Sequence, residues 1–161
     1  QLVLGDALAI CLLNLKGFSS KDFAKYHPGG ALGKKLYLRV SDLIKNNALP
    51  NVRETDSISK VIVEISEKRL GVTAVTNKDK IVGIITDGDI RRMLAKTTLI
   101  AQFKAKDVMG SNPKTIHQDA MAIEALETLE NNSITQILVV DDKKNYVGVV
   151  HLHDLIKEGI F

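Results

Sequence analysis

The phrase KIVGIITDGDIRRML at residues 80–94 returns 65 residues later as VGVVHLHDLIKEG at 147–159, with Gly83 matching Gly148 and Asp89 matching Asp154. In each copy an apolar run stops at a polar turn and a helical pattern follows. A chain that writes strand, turn and helix twice has to fold as two like halves. The first turn sets a hydroxyl, Thr86, and two carboxylates, Asp87 and Asp89, at the mouth of a sheet beside helix N–H groups. Such a place can receive a phosphate and grip a ribose.

The surrounding residues extend the repeat. In the first copy Val40–Ile44 is a short apolar lead-in and Ala48–Val52 an extended one. Asp56 or Ser57 caps a helix with Ile58, Val61, Ile62 and Ile65 on one face. Strands at 72–76 and 81–86 follow, joined by a hairpin loop at 77–80, and residues 87–95 close the copy as a helix. In the second copy Lys106-Asp107-Val108-Met109 answers Ser41-Asp42-Leu43-Ile44, and Pro113 answers Pro50. Asp119 is expected to start a helix with Ala122, Ala125, Leu126 and Leu129 inward. Strands at 137–140 and 146–150 and a helix at 153–158 complete it. Asp42 and Asp107 read as caps of the two lead-ins. The fold class is α/β (an α+β pair): two β-α-β-β-α repeats of about 60 residues, each too small to bury much core alone, packed face to face as a pseudo-dimer.

Composition narrows the partners. Net charge is only +3, and aromatics make up 4% of the chain, without Trp. Nucleic acid would require a clustered basic stripe and usually stacking aromatics, so the expectation is no nucleic acid. No apolar run nears the roughly 20 residues that span a bilayer, so no membrane partner is expected. The single cysteine, Cys11, excludes an internal disulfide and fits a reducing, cytoplasmic location.

The first 35 residues stand outside the repeat. Residues 2–16 form a helix with Leu4, Leu8, Cys11, Leu12 and Leu15 on one face, closed by Gly17. It is apolar around most of its circumference, so it expects burial on several sides that this chain does not supply. The start at Gln1, already within a helical pattern, reads as the C-terminal part of something longer. Ser19 and Asp22 make a capping-box start for a short second helix. Residues 28–35, PGGALGKK, read as an exposed linker.

The pattern Gly, two apolar residues, Ser or Thr, two variable residues, Asp resembles the recurring phrase of the cystathionine-β-synthase (CBS) domain. Gly83-Ile84-Ile85-Thr86-Asp87-Gly88-Asp89 fits at every position, while the second copy has His151 in place of the hydroxyl residue. The tandem resembles a CBS pair, in which the hydroxyl contacts phosphate and the Asp contacts ribose hydroxyls of a nucleotide. GDALA, DFAKYHPGGALGKKL, GIITDGDIRR, DVM and HLHDL together resemble the C-terminal part of arabinose-5-phosphate isomerases. Those enzymes join a sugar-isomerase (SIS) domain to a CBS pair and interconvert ribulose 5-phosphate and arabinose 5-phosphate for the octulosonate of lipopolysaccharide or capsule. The resemblance implies a SIS tail and linker over 1–35, a first CBS domain over 36–97 and a second over 98–161. It makes His27, in the HPGG phrase, an active-site residue. A histidine suits proton transfer between C1 and C2 or ring opening. The lysine and glutamates it would work with lie outside this chain, so the fragment alone is expected to be inactive.

Expected nucleotide contacts are Thr86, Asp87, Asp89, Arg91 and Arg92 in the first copy and His151, His153 and Asp154 in the second. The bland reading is that Thr86 ends a strand, a carboxylate caps a helix and the arginines are solvated; the capping role can coexist with a ligand. Either arginine could hold phosphate in a bidentate way. His151 and His153 could make a metal pair only if the strand reached both, and they lack a third ligand, so no metal is expected. His117 reads as a strand-end surface residue. The implied ligand is a regulatory nucleotide or a CMP-linked sugar, with no required cofactor. The implied partner is a second copy of the chain, with a tetramer for the full-length enzyme. The alternative is a CBS pair acting mainly as an oligomerisation module without ligand. A sensor attached to a transporter or DNA-binding domain is disfavoured by GDALA and HPGG.

Overall fold

The apolar N-terminal segment forms α1 (Leu2–Leu15), ended by Gly17 in the left-handed region at φ 60°. None of its residues is buried. The computed structural model describes residues 2–27, 29–97 and 99–160; Pro28 of the expected linker lies outside the described residues. Helix α2 (Ser20–Tyr26) starts at the expected box: Asp22 N–H donates to Ser19 Oγ at 3.3 Å, and Ser19 N–H donates to Asp22 Oδ2 at 2.8 Å. The expected linker is different in the structure. Residues Ala31–Tyr37 form helix α3. Gly30 is not interior to it but its N-cap in extended backbone, and Lys34 and Lys35 in the last turn complement the carbonyl end. Lys34 Nζ reaches Glu158 Oε2 at 2.8 Å, tying this helix to the end of the second repeat.

The repeats follow in the expected order. The first runs α4 (Val40–Ile44), β1 (Asn51–Arg53), α5 (Ile58–Lys68), β2 (Val72–Asn77), β3 (Lys80–Thr86) and α6 (Asp87–Leu94). After a 3-10 turn (Ile100–Gln102), the second runs α7 (Ala105–Val108), β4 (Gly110–Ser111), β5 (Thr115–His117), α8 (Ala122–Asn131), β6 (Gln136–Val140), β7 (Tyr146–His151) and α9 (Leu152–Lys157). β1 lies parallel to β2, and β2 antiparallel to β3; β5, β6 and β7 repeat the arrangement. Lys78 and Asp79, both at positive φ, make the tight turn of the first hairpin. Helix α8 begins later than the expected start at Asp119. Leu38 and Arg39 hold Met121 extended as the N-cap, through a bridge from Arg39 to Met121 and a bond from Ala122 N–H to Leu38 O at 2.8 Å.

The lead-ins are exchanged between the halves. Val40 and Leu43 of α4 pack with Ile116, Leu126, Val150 and Leu155 of the second repeat, while Ala105, Val108 and Met109 join Val52, Ile58, Val61 and Ile85 of the first. The backbone seals both exchanges. Val40 and Ser41 N–H donate to Ala120 and Gln118 carbonyls at 2.9 and 2.8 Å; Ala105 and Lys106 N–H donate to Asp56 and Glu54 carbonyls at 2.8 and 3.1 Å. A third cluster, Val72, Ala74, Leu138, Tyr146 and Val149, joins the remaining faces of the two sheets. β2 is therefore covered on both faces and buried from Val72 to Thr76. Among the described residues, no helix is long and apolar enough to cross a membrane.

Candidate functional site

Each half delivers its phrase at the point where the sheet gives way to a helix. Thr86 ends β3 in extended backbone and is the N-cap of α6. Its Oγ1 accepts from Asp89 N–H at 3.3 Å, while its own N–H and hydroxyl donate to Asp89 Oδ2 at 2.8 and 2.6 Å. Arg92 Nη2 holds Asp89 Oδ1 at 2.6 Å. Arg91 turns back, donating through Nε to Asp87 O at 3.3 Å. Partial burial opposes the Asp89 charge, but the Thr86 donors and Arg92 outweigh it and hold the carboxyl below the usual range. Thr86, Asp89 and Arg92 thus form one preset cluster: a hydroxyl, a carboxylate kept ionised, and an exposed guanidinium.

Asp87 points to a different neighbour. Gly71, at φ 66°, has no Cβ, and one placed there would lie 3.3 Å from both Asp87 Oδ2 and Gln136 Nε2. Gln136 belongs to the second repeat, so the glycine brings the two halves together beside the turn. Asp89 and Arg92 also edge a cleft of about 370 Å³ with Met93, Phe103 and Val108 as apolar walls and Lys96, Thr97 and Asp107 around them. A larger cleft of about 570 Å³, between β1 and the first hairpin, contains none of the turn residues. Its polar groups answer one another: Thr76 hydroxyl to Asn51 Oδ1 at 2.7 Å, Lys60 to Asp56 at 2.9 Å.

In the second copy the imidazole of His151 takes over the cap. Its Nδ1 accepts from His153 N–H at 3.0 Å, and His151 N–H donates to Asp154 Oδ2 at 2.9 Å. β7 ends at His151 and α9 begins at Leu152, yet the His151 and His153 rings stack with centroids 5.2 Å apart. Asn47 Nδ2 also donates to Asp154 Oδ2, at 2.7 Å. Sequence reading missed Asn47, Gly71 and Gln136; only Gly71, between a helix and a strand, carried a signal. Helix capping by Asp42 and Asp107 is present, with each carboxylate accepting the N–H three residues before it, at 3.2 and 2.8 Å.

Burial, and then the neighbouring His153, push His151 below the ordinary imidazole range, against the opposing pull of Asp154. The fold therefore favours neutral His151, as an accepting Nδ1 requires. Its stabilisation is fully present above the unfolded value of about 6.5 and is lost as pH falls towards the depressed native value. We expect the melting temperature to drop as pH falls below about 6.5, and His151→Ser, which caps without titrating, to flatten that slope. The depressed carboxylates of Asp42, Asp56 and Asp89 act in a lower window, below about pH 4, and do not confuse the reading. An unchanged slope in the serine variant would refute the assignment.

His27 is the C-cap of α2, exposed, with its ring against Phe23 at a centroid distance of 4.8 Å. Its contacts lie in the connector. His117 ends β5 as expected; its Nε2 lies 3.1 Å from Asp142 Oδ1, and its Nδ1 accepts from Asp119 N–H at 3.2 Å. A carboxylate oxygen of Asp119, one of Asp142 and a nitrogen of this ring lie within 4.8 Å of one another, so the group bridges a strand end and a hairpin loop.

The sequence matches the CBS domain over residues 40–96 and 105–160. It is 51% identical over 157 residues to arabinose 5-phosphate isomerase KdsD of Francisella tularensis, covering 97% of this chain and 48% of that protein. It is 39% identical over 161 residues to KdsD of Escherichia coli, covering 99% of this chain and 49% of that protein. The chain thus spans about half the length of the curated relatives it matches. Among solved structures, a CBS domain protein from Pyrobaculum aerophilum complexed with AMP superposes with a TM-score of 0.67 at 26% identity, over 73% of this chain and 90% of that one. With two exchanged lead-ins, two sheets and two copies of the strand-to-helix phrase, the chain belongs to the CBS domain family as a tandem pair.

Proposed function

We propose that this chain is the regulatory CBS pair of an arabinose 5-phosphate isomerase and that it senses a nucleotide or nucleotide-linked sugar at the turn Thr86–Arg92. The observation that carries the reading is the preset cluster of Thr86, Asp89 and Arg92. Asp89, held ionised, accepts ribose hydroxyls. The Thr86 hydroxyl lies at the start of α6, and exposed Arg92 can swing from Asp89 to the oxygens of a phosphate held there. The AMP-bound relative supports an adenine nucleotide; the place of the enzyme before octulosonate activation supports a CMP-linked sugar as feedback ligand. The likeness to KdsD proteins supports His27 as an active-site acid–base group and α1, bare of cover here, as the last helix of a SIS domain.

Titration calorimetry of AMP and the CMP-linked octulosonate decides this. We expect one of them to bind, and Asp89→Ala to weaken it by about 10–100-fold, the loss of one or two charge-assisted hydrogen bonds. Equal binding by the variant, or none of either ligand to the parent chain, would sink the proposal.

A further inference from the structure

The two carboxylates that end the repeated phrase are not equally available. Among the described residues the partners of Asp89 lie on its own turn, Thr86 and Arg92, and the Arg92 side chain is 69% exposed and free to rotate away. Asp154 is held from far along the chain. Asn47 Nδ2 spends one hydrogen on Asp154 Oδ2 at 2.7 Å and the other on Val149 O at 3.0 Å. Both neighbours are acceptors, so the amide can present only its NH₂ to them. Its backbone is fixed as well: Asn47 N–H donates to Ile44 O at 3.0 Å, and Ile44 is pressed against Gly148 at the root of the same turn. The residue as far beyond Asp107 as Asn47 is beyond Asp42 is Asn112. It is exposed at φ 54°, and its side chain makes no hydrogen bond among the described residues.

We infer that Asn47 is an internal occupant of the ligand position at the second turn, beside Asp154. Its amide takes the place of a nucleoside hydroxyl on Asp154, so that the pair offers ligand one open site, at Asp89, and one latched site. The inference rests on the reading of these turns as nucleotide sites. What is latched is a carboxylate and a strand carbonyl, Asp154 and Val149, bridged by a group from the exchanged lead-in. A ligand entering there has to break both Asn47 bonds and leave the Val149 carbonyl to be satisfied anew, a cost absent from the Asp89 site.

The test is calorimetric stoichiometry on the whole 161-residue chain with AMP as probe, each variant first checked for a cooperative melt. The parent is expected to bind one AMP and Asn47→Ala two. Asn47→Asp, which sets a carboxylate against Asp154 and cannot donate, is expected to bind two as well and serves if the alanine variant does not fold. Asn47→Ala with Asp89→Ala should retain one site, and adding Asp154→Ala should remove it. Two sites in the parent, or one in both Asn47 variants, overturns the latch while leaving Asp89-dependent binding intact. No binding of AMP by the parent or any variant overturns the latch, and the sensing role with it where the CMP-linked octulosonate also fails to bind the parent. A parent that binds none while Asn47→Ala binds one at Asp154 upholds the latch and rejects the Asp89 site.

Discussion

Gly148→Val is expected to be the most damaging single substitution in the second repeat. A Cβ built on Gly148 would lie 2.7 Å from Ile44 Cδ1 and 3.1 Å from Ile44 Cβ. The first atom is the end of a flexible side chain; the second is fixed to the backbone of α4 and cannot move unless the helix does. Its backbone conformation does not call for glycine, since Gly148 is not among the residues at positive φ. The demand is purely for space, made by the exchanged lead-in. Overpacking by one carbon costs about 1–3 kcal/mol, so Gly148→Ala should lose that much and Gly148→Val more. Ile44→Ala removes the clashing arm and creates a small cavity of its own. The pair Gly148→Ala with Ile44→Ala should therefore cost less than the sum of the single changes, by on the order of 1 kcal/mol in a denaturant double-mutant cycle. Strict additivity would show that the glycine serves something other than contact with α4. Gly83 offers a control. A Cβ there meets the thioether arm of Met109, which can swing aside, so Gly83→Ala should be milder, limited by the Gly110 carbonyl at 3.1 Å.

What the sequence made legible was local and written twice. The hairpins, the capping residues Ser19 and Ser57, and the apolar face of α5 all depend on neighbours within a few residues; the cap of α6 is Thr86, not the carboxylate expected there. Helix α3 reads as a linker when its glycines are taken without their positions; Gly30 is a cap, and the ion pair from Lys34 to Glu158 spans 124 residues. His151 was legible as a departure from the hydroxyl pattern, but not as its functional substitute. A ring nitrogen without its proton accepts a backbone N–H as Thr86 Oγ1 does, and the pattern of residue types does not show protonation. Asn47 had no signal at all. Its partner Asp154 is 107 residues away, and one asparagine beside another in a turn looks like any solvated loop. The exchange of lead-ins is invisible for the same reason: α4 would suit either half, and only the pairing of Val40 and Ser41 with residues 118–120 decides.

That exchange sets the second large expectation, for chains cut between the repeats after Lys96. The piece 97–161 keeps β5 to β7 but loses α4, and with it the buried side chains of Val40 and Leu43 and the hydrogen bonds to Gln118 and Ala120. The piece 1–96 loses α7 and β4, which cover Ile58 and Ile85 and extend the sheet beside Gly83 and Ile84. Both also lose the shared cluster of Val72, Ala74, Leu138, Tyr146 and Val149. Full burial of one Val or Leu contributes about 1.5–3 kcal/mol, so Val40 and Leu43 alone supply roughly 3–6 kcal/mol. A whole domain has only about 5–15 kcal/mol of net stability. Neither piece should then show a cooperative thermal transition by itself. Mixed in equal amounts they should recover one, with a midpoint that rises with concentration because folding has become an association. Cooperative unfolding of either piece alone, with the ellipticity of its half intact, would show that the exchange decorates two independent domains. The expected result makes the pair a single folding unit. Asn47, carried on the segment that follows α4, then reports at the second turn on whether the two halves are correctly joined.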